Sequence, residues 1–192
     1  ICSTRGTILG WKSDLSKYFD SVPINYIDEA FDRVEEKYGK SALIAVIRDY
    51  YHTDIYFDTE GNLCENYQSL KQGCSVAAWL ADVVLYHIDE QLSNLKGYYV
   101  RYSDDTLFVG EDYEEAMRIM QDELMKMQVK LNPKKVEYLD AQHWFKFLGY
   151  SIKGHDISLS STRIKTFQKE IEKRTIKNRD TTMTRAINAV NR

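Results

Sequence analysis

Tyr102-Ser103-Asp104-Asp105 sets two adjacent carboxylates between the short apolar runs Tyr98-Tyr99-Val100 and Thr106-Leu107-Phe108-Val109. Runs of β-branched and aromatic residues this short read as strands, so the acidic pair is expected at the tip of a hairpin. Neighbouring carboxylates repel unless a cation joins them, and oxygen donors at a tight turn suit the hard ion Mg²⁺. Turn chemistry alone also accounts for Asp-Asp, because aspartate tolerates turn geometry. A second segment adds weight to the metal. Residues 8–20 begin as a strand, deliver Asp14 at its end, and turn at Asp20-Ser21-Val22-Pro23 toward a helix. A third carboxylate then lies on a strand beside the hairpin. Two ions bridged by such carboxylates activate a 3′-hydroxyl and stabilise a leaving pyrophosphate during in-line displacement.

The elements that must position these groups follow from periodicity. Ile27, Ala30, Phe31, Val34 and Tyr38 share one face of residues 25–38, with Gly39 as a stop, which predicts an amphipathic helix. Residues 41–51 predict a second helix, and residues 55–67 a hairpin about Asp58-Thr59-Glu60-Gly61-Asn62. Residues 75–92 form a largely apolar helix suited to burial under a sheet. In residues 113–129, Met117, Met120, Leu124 and Met127 mark the inner side of another helix, where methionine serves as core filler. Residues 136–139 and 144–152 predict a hairpin, and the chain turns helical again at Ser160-Ser161-Thr162. The fold class is α+β, an antiparallel sheet packed on helices, followed by a helical segment. Lys153-Gly154-His155 is the expected domain boundary.

At 192 residues the chain suits one domain with an appendage. No apolar run reaches a membrane span and no signal peptide is visible, which reads as a soluble cytoplasmic protein. Cys2, Cys64 and Cys74 are odd in number and show no paired spacing, and His52, His87, His143 and His155 form no metal motif. The net charge of −3 is unevenly spread: residues 153–192 hold ten Lys or Arg against four Asp or Glu, leaving sixteen against twenty-five in residues 1–152. Lys165, Lys169, Lys173 and Lys177 recur every four residues, which gathers them along one side of a helix. Such a stripe beside an acidic body suits a phosphate backbone, with a solvated helix face as the plain alternative.

Taken in order, the motifs resemble those of the bacterial reverse transcriptases of the group II intron maturase and retron lineage, over nearly the whole chain. Residues 14–20 are similar to the first palm motif, with Asp14 a metal ligand and Phe19 an aromatic steric gate against a ribose 2′-hydroxyl. Leu70-Lys71-Gln72-Gly73 resembles the Gln-Gly motif that meets template and incoming nucleotide, and Tyr102-Ser103-Asp104-Asp105 the Tyr-x-Asp-Asp signature. Leu131-Asn132-Pro133-Lys134-Lys135 resembles the next motif, whose lysine protonates the departing pyrophosphate. Phe147-Leu148-Gly149-Tyr150 resembles the primer grip.

The resemblance implies a polymerase palm over residues 1–152 and the start of a basic thumb over 153–192. Asp14, Asp104, Asp105 and Lys135 would be catalytic, and Asp14, Leu15, Asp104 and Asp105 would hold two Mg²⁺ ions, with Mn²⁺ as a substitute. Lys17, Tyr18, Phe19, Gln72 and Gly73 would meet the nucleotide, and Lys165, Lys169, Lys173 and Lys177 the nucleic-acid backbone. An RNA template, a DNA or RNA primer and deoxynucleoside triphosphates are the implied partners, in a mobile-element or phage-defence setting.

The sequence departs from the family at Ala77-Ala78 and Asp82, where a Ser-Pro pair and an Asn are common. An untemplated or protein-primed nucleotidyltransferase is therefore the second reading, and a non-catalytic RNA-binding platform the third. Palm-shaped nucleotide cyclases are more distant. Thirteen residues precede Asp14, too few for a fingers region, and with Ile1 rather than Met at the start the sequence reads as a fragment.

Overall fold

The computed structural model describes residues 10–53, 55–65, 69–71 and 75–177. Gln72 and Gly73 lie outside these residues, as does the side chain of Lys177. The chain divides into two compact units between Leu139 and Asp140.

In the first unit the elements run β1 (Gly10–Ser16), α1 (Tyr18–Ser21), α2 (Ile24–Tyr38), α3 (Ala42–Tyr51), β2 (Ile55–Phe57), β3 (Leu63–Glu65), α4 (Ser75–Ser93), β4 (Gly97–Tyr102), β5 (Asp105–Gly110), α5 (Tyr113–Lys126), β6 (Lys130–Leu131) and β7 (Glu137–Leu139). The main sheet is antiparallel in the order β4-β5-β1-β6, and β7 also pairs with β1. β2 and β3 form a separate hairpin. The register places Trp11 opposite Phe108, Ser13 opposite Thr106, and Asp14 opposite Asp105. Residues directly opposite share a face, and successive residues alternate, so the sheet has two distinct sides.

One side is core. Trp11 and Phe108 are fully buried and stack with ring centroids 6.1 Å apart. Helix α4 buries Leu80, Ala81, Val84, Leu85, Ile88 and Leu92, and α5 buries Ala116, Met117, Met120 and Leu124. Removing each large apolar side chain from water contributes about 1.5–3 kcal/mol, which is why these periodic faces set the helix orientations. Helix α2 adds Ile27, Ala30 and Phe31, then stops at Gly39, whose φ of +88° suits glycine and whose amide caps the Glu35 carbonyl at 2.8 Å. Tyr38, expected on the inner face, is 75% exposed in that last turn.

The second unit contains β8 (Phe145–Phe147), β9 (Tyr150–Lys153), β10 (Asp156–Leu159) and α6 (Ser161–Lys177). The three strands form an antiparallel meander in the order β10-β9-β8. One expectation is corrected here. The segment 136–139 does not pair with 144–152: β7 is used at β1, and β8 finds its partner in β9 instead. At Lys153-Gly154-His155, the expected boundary, the flanking strands pair with each other. Gly154, with φ +54°, turns β9 into β10, and a glycine-containing break looks the same in sequence whether it is a linker or a hairpin turn. Helix α6 is capped by the buried Ser160, whose Oγ accepts from the Arg163 amide at 3.3 Å.

Candidate active site

Strand β1 and the β4–β5 hairpin bring three carboxylates to one end of the main sheet. Asp14 faces Asp105 across the β1–β5 ladder, on the side away from Trp11 and Phe108. Asp104 stands in the two-residue turn between Tyr102 and Asp105. The Leu15 amide donates to the Asp104 carbonyl at 3.2 Å, which fastens the turn to β1. On the buried side, the hydroxyls of Ser13 and Thr106 are 2.6 Å apart. This pair fixes the register next to the acidic residues, and a slip of one residue would send Asp14 to the opposite face.

Lys135 completes the group. Its Nζ donates to Asp14 Oδ2 at 2.6 Å. The loop from Asn132 supplies it: the Asn132 amide donates to the Asp14 carbonyl at 2.8 Å, and the Lys135 amide to the Asn132 carbonyl at 2.9 Å. The hydrogen bond with Asp14 raises the Lys135 pKa, and Asp14, Asp105 and Asp104 add to the effect by charge, so the ammonium is kept protonated. Burial pushes the Asp105 carboxyl above the usual aspartate range, with Asp104 and Asp14 acting in the same direction, opposed by Lys135 and Lys12. Three negative groups thus share one local field with an incomplete set of counter-charges.

Asp14, Asp104 and Asp105 stop short of a closed metal shell. Among the described residues no three His, Cys, Asp or Glu side chains stand close enough together to hold an ion, and Asp14 is engaged by Lys135. The donor set nevertheless fits a hard divalent cation, being all carboxylate oxygen gathered at one sheet end.

The other sequence-derived site residues fall into distinct settings. Leu15 is 2% exposed, so its side chain belongs to the core and only its backbone carbonyl is left to act as a ligand. Lys17 is exposed and turns β1 into α1 with φ +49°. Tyr18 is 2% exposed and its hydroxyl donates to the Ala81 carbonyl at 2.7 Å, so its side chain braces α4 and only its backbone is left to meet a nucleotide. Phe19 is half-buried, its ring edge against Tyr18 at 5.7 Å between centroids.

In the second unit, Phe147 pairs with Tyr150 around Leu148 and Gly149, whose φ values are +48° and +83°. Two successive positive φ angles mark a primed hairpin turn, and leucine adopts that geometry only under constraint. The Ser160 amide supplies one, donating to the Gly149 carbonyl at 2.9 Å. Lys165, Lys169 and Lys173 are all exposed on α6.

One cluster was missed by sequence reasoning. Asp82, a departure from the expected motif, accepts from Arg101 Nη1 at 2.9 Å. Asp89, seven residues further along α4, accepts from Arg101 Nε at 2.8 Å and from the Tyr99 hydroxyl at 2.9 Å. Two acids a heptad apart on a largely apolar helix, with an arginine among strand residues, were the available signal.

A family model described as reverse transcriptase (RNA-dependent DNA polymerase) matches residues 2–152. The chain belongs to the reverse transcriptase family. Similar solved structures include the apo telomerase of Candida tropicalis, at 14% identity and a TM-score of 0.64, covering 83% of this chain and 34% of that one. The Candida tropicalis telomerase in complex with a TWJ fragment of telomeric RNA matches at 14% identity and a TM-score of 0.68, covering 96% and 37%. The corresponding Candida albicans complex matches at 16% identity and a TM-score of 0.62, covering 80% and 30%. The chain therefore spans about a third of the length of these structures, whose fold it shares. No curated protein matches it in sequence.

Proposed function

We propose that this chain is the palm and early thumb of an RNA-directed DNA polymerase that extends a primer along an RNA template. The observation that carries the reading is the pairing of Asp14 with Asp105 across β1 and β5, with Asp104 in the adjoining turn and Lys135 bonded to Asp14. Asp14, the Leu15 carbonyl, Asp104 and Asp105 would hold two Mg²⁺ ions. Ions held there would supply activation of a primer 3′-hydroxyl and neutralisation of charge on the leaving pyrophosphate. Lys135 holds a proton at Nζ beside Asp14, which suits it to act as the general acid. Phe19 excludes a 2′-hydroxyl by collision, Lys17 offers an exposed ammonium to the triphosphate, and Gln72 and Gly73 complete the nucleotide pocket. Phe147, Leu148, Gly149 and Tyr150 grip the primer, and Lys165, Lys169, Lys173 and Lys177 follow the duplex backbone. The motif resemblance favours the group II intron and retron branch of the family. Asp82 need not change the nucleotide pocket, because its carboxylate is committed to Arg101.

The test is Asp104→Asn in the full-length protein. It removes a ligand oxygen while leaving the basic helix untouched. Nucleotide addition on a primed RNA should fall by about 10³-fold or more, in the range seen when charge-stabilising groups are lost, while affinity for the primed RNA stays within twofold to threefold (~0.5 kcal/mol). Retained addition would move the reacting centre elsewhere.

A further inference from the structure

Arg101 sits on β4 three residues before Asp104, on the side facing α4. Its side chain is 7% exposed. A guanidinium removed from water to that depth needs partners, and its planar fork is suited to several at once. Nε and Nη2 hold the two oxygens of Asp89. Nη1 reaches Asp82 Oδ1 at 2.9 Å, and Nη2 the Asp82 carbonyl at 3.0 Å. The remaining bond leaves the helix: Nη1 also donates to the Ser103 carbonyl at 3.1 Å.

Ser103 is the first residue of the turn that carries the acidic pair, and its φ is +55°. A residue with a Cβ persists in that region only where its surroundings enforce it. The turn is held from two directions, by the Leu15 amide on the Asp104 carbonyl and by Arg101 on the Ser103 carbonyl. Tyr99 orients the anchor by donating to Asp89.

We propose that Arg101 is a positioning residue that clamps the Ser103-Asp104 turn to helix α4 through Asp82 and Asp89. It touches no reacting atom and acts by keeping Asp104 and Asp105 at fixed height beside Asp14. Lysine cannot replace it, since one ammonium cannot span both aspartates and the Ser103 carbonyl. The catalytic part of this inference rests on the polymerase reading, whereas its structural part does not.

The experiment compares wild type, Arg101→Lys and Asp82→Asn in the full-length protein by amide hydrogen exchange, thermal unfolding and steady-state nucleotide addition. In Arg101→Lys, peptides covering residues 102–106 should exchange at least about tenfold faster, a change on the order of 1.4 kcal/mol in local opening, while peptides from α5 keep their wild-type rates. The kcat should fall about 10–100-fold, as for other residues that orient metal-binding groups, with KM for the triphosphate nearly constant. Asp82→Asn should shift both readouts in the same direction by less, and because the Asp82 side chain is 64% exposed it serves if Arg101→Lys does not fold. Unchanged exchange at the turn overturns the clamp, as does faster exchange spread evenly over strands and helices. If wild type adds no nucleotide at all, the polymerase reading fails, and the exchange data still decide for or against the clamp.

Discussion

The fold alters the protonation of Asp105, and the sign of that change is informative. Because its pKa is raised in the folded protein, chiefly by burial and then by Asp104 and Asp14, the folded chain binds its proton more tightly than the unfolded chain. The stability this gives is present below the unfolded pKa and is lost as pH rises through the folded one. At neutral pH in chelator, Asp105→Asn should therefore raise the unfolding midpoint, by no more than about 1 kcal/mol given the partial exposure of the group. The gain should shrink as pH falls through the raised folded pKa toward the ordinary aspartate range, and added Mg²⁺ should stabilise wild type more than the variant. A midpoint that is insensitive to pH and to Mg²⁺ would separate Asp105 from any metal. Phe19 carries a different test. Phe19→Val should raise the ratio of ribonucleotide to deoxyribonucleotide incorporation by on the order of tenfold, the scale on which a pocket resolves small differences in bulk; an unchanged ratio would leave Phe19 as packing against Tyr18. At this scale the nearness of Asp14 to Asp105 was legible because acidic residues beside apolar strands stand out locally, whereas the interest of Lys135, which bonds Asp14, came only from the motif resemblance. The setting of Tyr18 was not legible, since the Ala81 carbonyl that claims its hydroxyl is 63 residues away.

Helix α6 presents charge where the other helices present packing. Its exposed Lys165, Lys169 and Lys173, with Lys177 one turn further, predict a salt-dependent contact with a phosphate backbone. Replacing all four with Gln should weaken binding to unrelated primed templates alike, and each lost contact should reduce the slope of log K against log salt by roughly 0.7–0.9. Affinity titrations at several salt concentrations decide this, and parallel lines would mean that the lysines are only a solvated face. The helices were readable from their 3.6-residue periods, down to the Ser160 cap. Strand partners were less readable. β7 is three residues long, and nothing in Glu137-Tyr138-Leu139 says whether it should pair with its sequence neighbour or with β1. Short strands carry too few side chains to specify a partner, and the choice is made by the available edge.

Over the whole molecule, the α+β class and the antiparallel sheet with its helical cover followed from element order and apolar patterning. Lys153-Gly154-His155 resembled a break because charge changes sign near it, from sixteen basic and twenty-five acidic residues before position 153 to ten and four after it. Cooperative packing follows hydrogen-bonded strands instead, and β9 continues into β10 through that glycine. The pairing of β1 with β5 also has a kinetic side. Ser13 and Thr106, whose hydroxyls meet beside the carboxylates, are separated by 93 positions along the chain. Closing a loop of that length costs about 4 kcal/mol of chain entropy before any contact repays it. Helices α2 to α4 and the β4–β5 hairpin form from near neighbours, but Asp14 meets Asp105 only once β1 has crossed that span. The acidic cluster and the Trp11–Phe108 stack belong to one β1–β5 ladder, so the same closure that brings the repelling carboxylates together also delivers the apolar contact that offsets their repulsion.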